Sequence, residues 1–208
     1  MGVSTSIAAL LFALAARGEI VDRVVATVGT QVITQSEIVR QIRITAFLNG
    51  EPVDLSADSR RKTAGRIIEQ ELIRKEALLS RYPQPETWEA EKIMKETREA
   101  KSIGEEEWQR ELKRYGITVD ELTKHFALQL QALRFTDYRF RPAVQVNESD
   151  VREYHSQKFK GKTAPPFEDA REALERELIE QRVDQSLDRW LKEARMQTRI
   201  EIREDSFK

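Results

Sequence analysis

"IVDRVVATVGTQVITQSEI", Ile20 to Ile38, holds two β-branched runs on either side of a glycine. Val24, Val25 and Val28 lead to Gly29-Thr30, and Val32 and Ile33 follow. Such residues fit a pleated, half-buried surface, and a Gly-containing turn closes two such runs into a short hairpin. Thr34 then stands three residues before Glu37, the spacing of a capping box, in which the threonine hydroxyl accepts an orphan N–H of the first helical turn. The helix it opens carries Ile38, Ile42 and Phe47 and stops near Asn49-Gly50-Glu51-Pro52. A hairpin alone is marginal. "TRIEIRE", Thr198 to Glu204, alternates Ile200 and Ile202 with charged residues and reads as an exposed edge strand that adds to it. The expected fold is therefore mainly α, with a small sheet joining an N-terminal hairpin to a C-terminal strand.

The residues between these ends read as helices. After "SADS", Ala64, Ile67, Ile68, Leu72 and Leu79 form an apolar stripe that "RYPQP", Arg81 to Pro85, ends, because proline cannot continue the hydrogen-bond ladder. A charged helix over Pro85 to Lys101 carries only Trp88, Ile93 and Met94 as large apolar residues, which marks Trp88 as exposed. Trp108, Leu112 and Tyr115 share one face of a short helix, and Gly116 suits its C-terminal cap. "TVDE", Thr118 to Glu121, is a second capping box, followed by a stripe of Leu122, Phe126, Leu130 and Leu133. In "VQVNESDVREYH" an extended stretch meets Asn147 or Ser149 as cap. The last helix runs from about Phe167 to Arg195 with two stripes. At 100° per residue Phe167, Leu174 and Leu178 lie on one face, and Val183, Leu187, Trp190 and Ala194 lie nearly opposite. Such a helix is expected to touch two different bodies. The joint before it, Lys160 to Pro166, is short.

The bulk numbers exclude several classes. Of 208 residues, 39% are hydrophobic and 34% charged, too apolar for disorder and too charged for a membrane bundle. A net charge of -1 gives no general pull toward nucleic acid. With no cysteine, disulfides and thiolate chemistry are excluded. "IAALLFALAA", Ile7 to Ala16, is too short to span a bilayer and ends in the small-x-small pattern Ala13-Leu14-Ala15. Residues 1–16 read as a signal peptide, although Met1 to Ser6 lacks a basic residue; the competing reading is a buried apolar helix. The expected location is periplasmic or secreted, with no integral membrane segment after cleavage.

Motifs for chemistry are sparse. His125 and His155 lie on different helices without a ligand cluster, so they read as partly exposed helix histidines rather than metal ligands. The 36 carboxylates read as solvated faces with i,i+4 partners. Gly161-Lys162-Thr163 imitates the end of a phosphate-binding loop without its upstream glycine and strand. "RFTDYRFRP", Arg134 to Pro142, interleaves three arginines with Phe135, Tyr138 and Phe140. It admits stacking on single-stranded nucleic acid, a sticky patch for unfolded peptide, or, best, arginines at a helix C-terminus with stems along aromatic rings. Candidate peptide-binding residues are Trp88, Phe135, Tyr138, Phe140, Phe167, Leu174 and Leu178; no metal, cofactor or catalytic residue is expected.

Four segments taken together resemble the SurA-type periplasmic chaperones, a family that includes parvulin-type peptidyl-prolyl isomerases. Ile20–Ile38 resembles their opening hairpin and helix. "YGITVDELTKHFALQLQALRF", Tyr115 to Phe135, resembles their central capped helix. "VQVNESDVREYHSQKF", Val144 to Phe159, resembles the segment that leads into a parvulin domain. Pro166 to Ile202 resembles the closing helix and strand. The resemblance implies one chaperone module built from residues 19–159 and 167–203, with 160–166 standing where family members carry a parvulin domain. A folded domain needs about 50 residues or more, so the chaperone module carries over and the isomerase does not. What it implies is ATP-independent holding of unfolded outer-membrane or secreted polypeptides through exposed apolar surface. A prolyl isomerase by family membership and a dimeric helical adaptor for one folded partner are the alternatives, and a homo-oligomer is compatible with each.

Overall fold

The computed structural model describes residues 22–207, and the signal-like stretch Ile7–Ala16 lies outside them. The chain is mainly helical with a small antiparallel sheet. β1 (Val24–Val28) and β2 (Gln31–Thr34) make the hairpin, and β3 (Ile200–Ile202) pairs with the other side of β1, giving the order β2-β1-β3. Thr27 stands opposite Val32 on one side and Glu201 on the other. The two-residue turn starts with Gly29 at φ +60°, the position where a II′ turn needs a positive dihedral and hence glycine.

Polar residues set the helix starts. Thr34 caps α1 (Gln35–Asn49), accepting the Glu37 N–H at 3.4 Å. The Asp22 carboxylate adds a second cap, accepting the Ser36 N–H at 3.1 Å. Ser56 caps α2 (Ala57–Leu79), and Glu86 with Glu89 form the box of α3 (Thr87–Ala100). α4 (Glu105–Tyr115) ends at Gly116, φ +66°, where a Cβ would come within 3.0 Å of the Arg43 guanidinium. The expected box forms at α5 (Val119–Arg139), from Thr118 and Glu121, and at α6 (Glu148–Lys158) Asn147 rather than Ser149 is the cap, completing a box with Asp150. α7 (Phe167–Gln197) follows, and a 3-10 turn at Glu204–Phe207 comes after β3.

Three apolar clusters hold these elements. The first joins the sheet to α1 and α2 through Val25, Ile33, Ile38 and Ile68, with Phe207 inserted. The second joins the end of α1 to α3, α4 and the start of α5 around Phe47, which meets Trp108 and Tyr115 edge-on at 5.1 and 5.6 Å. The third is small: Ile73, Ala77 and Phe135, flanked by Leu187, Trp190 and Leu191.

Two stripe residues fall outside the core. Leu79 and Leu133 are 69% and 57% exposed, although each continues its stripe in phase. The reason is a change of face. Ile67, Ile68 and Leu72 turn α2 toward the sheet, but Ile73 and Ala77, roughly opposite at 100° per residue, turn its last two turns toward Phe135. α5 does the same, packing early through Leu122 and Phe126 and late through Phe135. The opposed stripes of α7 behave as expected. Its N-terminal half packs against α6, and its C-terminal half packs on α2 and the third cluster.

Candidate functional site

The basic-aromatic stretch is a structural joint. Phe135 is fully buried, with Trp190 at 4.8 Å, Phe140 at 5.7 Å and Tyr82 at 6.0 Å between ring centroids. It presents nothing to a bound peptide. Phe140 is half-buried against Trp190. Tyr138 is 55% exposed and stacks on Tyr82 at 6.1 Å. The arginines are all engaged. Arg134 reaches the Gln84 carbonyl at 2.7 Å and pairs with Glu89. Arg139 pairs with Glu76 at 2.9 Å and lies over the Phe135, Phe140 and Trp190 rings. Arg141 bridges Glu180, at 2.7 and 2.9 Å, to Asp137 at 2.9 Å. This pairing holds the Glu180 carboxyl below its ordinary range and raises the Arg141 guanidinium further.

The candidates on α7 are covered. Leu174 and Leu178 are 3% and 7% exposed in the half that packs against α6, so they are interior side chains rather than an open surface. Phe167 is half-buried, edge-on to His155 at 5.8 Å, with the Arg152 guanidinium 4.0 Å from its ring centre. Trp88 is 61% exposed, as expected from its charged helix.

An open apolar site lies where the sequence pattern pointed inward. Leu78 and Leu79, at the end of α2, line a groove of about 450 Å³ with Val28, Gly29, Thr30 and Gln31 of the hairpin turn. Glu71, Arg74 and Lys75 form its polar side, and Arg74 is held by Glu71 at 2.7 Å. The groove exists because the last turns of α2 pack through their other face. The proline break marked the helix end, but the stripe alone did not show that its last member had outrun its partner.

Neither histidine is an ordinary surface residue. His155 donates from Nε2 to the Pro165 carbonyl at 3.0 Å, tying α6 to the segment before α7. His125 is buried rather than partly exposed, at 9%, with Nδ1 donating to the Gln41 Oε1 at 3.0 Å. Burial holds its imidazole below the ordinary 6.5. The unfolded chain therefore takes up that proton first, and stability falls as pH drops from 6.5 toward the folded value. Glu37 acts in the opposite sense, because burial raises its carboxyl above the ordinary 4.5 and the folded chain takes up the proton first. In urea titrations between pH 7.5 and 5, His125→Gln is expected to flatten the acid-side loss of stability. An unchanged slope would assign that loss to other groups.

Among the described residues no group of three or more His, Cys, Asp and Glu side chains is arranged to hold a metal ion. Among them too, no helix is long and apolar enough to cross a membrane. No protein-family model matches the chain, and no curated protein matches it.

Proposed function

We propose that the protein is an ATP-independent chaperone of the cell envelope that holds unfolded polypeptides on exposed apolar surface. The observation that carries this reading is the groove at the end of α2, where Leu78 and Leu79 stay 50% and 69% exposed beside the hairpin turn. Adjacent exposed leucines lining a groove are costly unless something covers them, unlike single apolar residues scattered over a surface. The ordered resemblance to SurA-type chaperones supports the same reading, as does the sheet that joins β3 to the N-terminal hairpin. Holding by such a surface draws on about 25 cal/mol per Å² of apolar area, offset by ordering of client and side chains. Weak contact of this kind leaves release to mass action or to a downstream receptor.

The test is suppression of aggregation of an unfolded β-barrel protein diluted from urea. Suppression at stoichiometric ratio is expected, and none across several clients would sink the proposal. Leu78→Ser combined with Leu79→Ser removes two contacts of about 1–2 kcal/mol each before offsets. The variant should need about tenfold more protein for half-suppression, the equivalent of about 1.4 kcal/mol. Its unfolding midpoint should hardly move, because exposed side chains contribute little to stability. The opposed faces of α7, which suggested a dimeric adaptor, are both covered within the chain and no longer favour that reading.

A further inference from the structure

We infer that α6 is a displaceable cover, and that the stripe of α7 beneath it, Leu174 and Leu178, is a second surface on which a short apolar segment of an unfolded client docks in place of α6. This rests on the holding activity proposed above and adds to it a site that is closed in the resting chain.

Four observations support a cover that can leave. α6 is an eleven-residue helix with one buried side chain, Val151 at 2%. Helices that short are marginal in water on their own, so contact with α7 keeps it in place. Beside Val151 and the contacts of His155 and Arg152 with the half-buried Phe167 ring, that contact is polar and reaches solvent. Tyr154 donates to Glu177 at 2.9 Å, Lys158 pairs with the same carboxylate, and Asp150 pairs with Arg182 at 3.1 Å. Even Asp150, the most enclosed member of the two ion pairs, keeps 24% of its side-chain surface. Exposed pairs contribute little and are screened by salt.

The tethers permit departure once the exposed hydrogen bonds of His155 to the Pro165 carbonyl and of Arg182 to the Gln145 carbonyl open. Residues 144–147 on one side and 159–166 on the other are turn or extended backbone, with Pro165 and Pro166 ahead of α7. The platform stays when the cover leaves, because the C-terminal half of α7 is anchored on two other clusters through Trp190 and Leu191. The occupant follows from what α6 itself presents, an apolar residue with an aromatic three positions on, Val151 and Tyr154, among charges. A client segment with apolar residues at that spacing makes the same contact, and the charged rim of Glu177 and Arg182 accepts either sign beside it.

The chain has no cysteine, so an installed pair reacts alone. Tyr154→Cys with Glu177→Cys, bridged by a bis-maleimide with a cleavable spacer, locks α6 onto α7. The probe is a urea-unfolded β-barrel protein. The bridged protein is expected to need at least about fivefold more material for half-suppression of aggregation than the same double variant before bridging, and cleaving the spacer should restore the dose of that unbridged variant. Bridged and cleaved forms that suppress aggregation equally would overturn the cover while leaving the holding activity standing. Suppression by neither, nor by the unaltered chain, would overturn the reading on which it rests. Hydrogen exchange on the unaltered chain needs no client. α6 amides should exchange at least about tenfold faster than those around Ile67 and Ile68 of α2, and faster still in added salt. Equal protection of the two helices would mean that α6 leaves only on global unfolding, which also overturns the inference.

Discussion

Replacing Phe135 by alanine lowers the unfolding free energy by about 3–5 kcal/mol, the range for emptying a buried aromatic site. At about 2–4 °C per kcal/mol for a chain of this size, the midpoint falls by roughly 6–20 °C. The ring is fully buried and meets Trp190, Phe140 and Tyr82. It also belongs to the smallest cluster, with only Ile73 and Ala77 as fully enclosed companions. α2, α5 and α7 all meet there, α2 and α5 each through a face that it does not use elsewhere. Arg139 lies over three of these rings, and Phe135→Ala removes one of them. Urea unfolding followed by tryptophan fluorescence reads the effect, because Trp190 is a direct neighbour. A fall in client holding with no loss of stability would instead make Phe135 a contact residue, contrary to its burial.

The same cluster shows what sequence reasoning could reach. Cap spacing is local, so Thr118 with Glu121, Asn147 and Gly116 could be placed from a few neighbouring residues, and the helix starts followed. The hairpin and its distant third strand were legible because alternation needs only three to five residues to declare itself. The change of face in α7 was legible because each of its stripes is long enough to repeat. In α2 and α5 the second face puts few apolar residues into this cluster, Ile73 and Ala77 from one and Ala132 and Phe135 from the other, too few to set a phase of their own. Leu79 and Leu133 therefore looked like further core. Which side of a helix is covered in its last turns depends on where its partner stops, and that is tertiary information.

The candidate site was legible to the same extent. Trp88 could be marked as exposed because its helix offers too little apolar surface to build a face. Phe135 and Tyr138 are three residues apart on one helix, yet one is fully buried and the other 55% exposed. Interleaving with arginine does not separate them, because an arginine stem packs on a ring in either setting. His125 shows the converse. Its burial is possible because Gln41, 84 positions away, accepts its ring proton, and nothing near either residue in sequence announces the pair.

Phe207→Ala is expected to cost about as much as Phe135→Ala, about 3–5 kcal/mol, although the residue stands beyond the strand that the sequence pattern marked as the close of the fold. Phe207 is 1% exposed and sits in the cluster with Val25, Val28 and Ile33. The 3-10 turn at Glu204–Phe207 aims it inward. Arg203 donates to the Val25 carbonyl at 2.8 Å, Ser206 donates to the Arg203 carbonyl at 2.9 Å, and Arg60 donates to the Phe207 carbonyl at 2.9 Å. β3 contributes only three residues, and Ile202 is 44% exposed, so burial along the strand itself is slight. The strand's main contribution is then to carry Phe207 to the core between sheet and α2. Ile202→Ala tests that division, with an expected loss below about 1 kcal/mol. Comparable losses from the two substitutions would shift the weight to strand pairing. If Phe207→Ala also frees the hairpin turn, the groove with Leu78 and Leu79 loses one wall, and client holding should fall at temperatures where the chain is still folded. A destabilised variant that holds clients as well as the parent would separate the groove from the closure of the sheet.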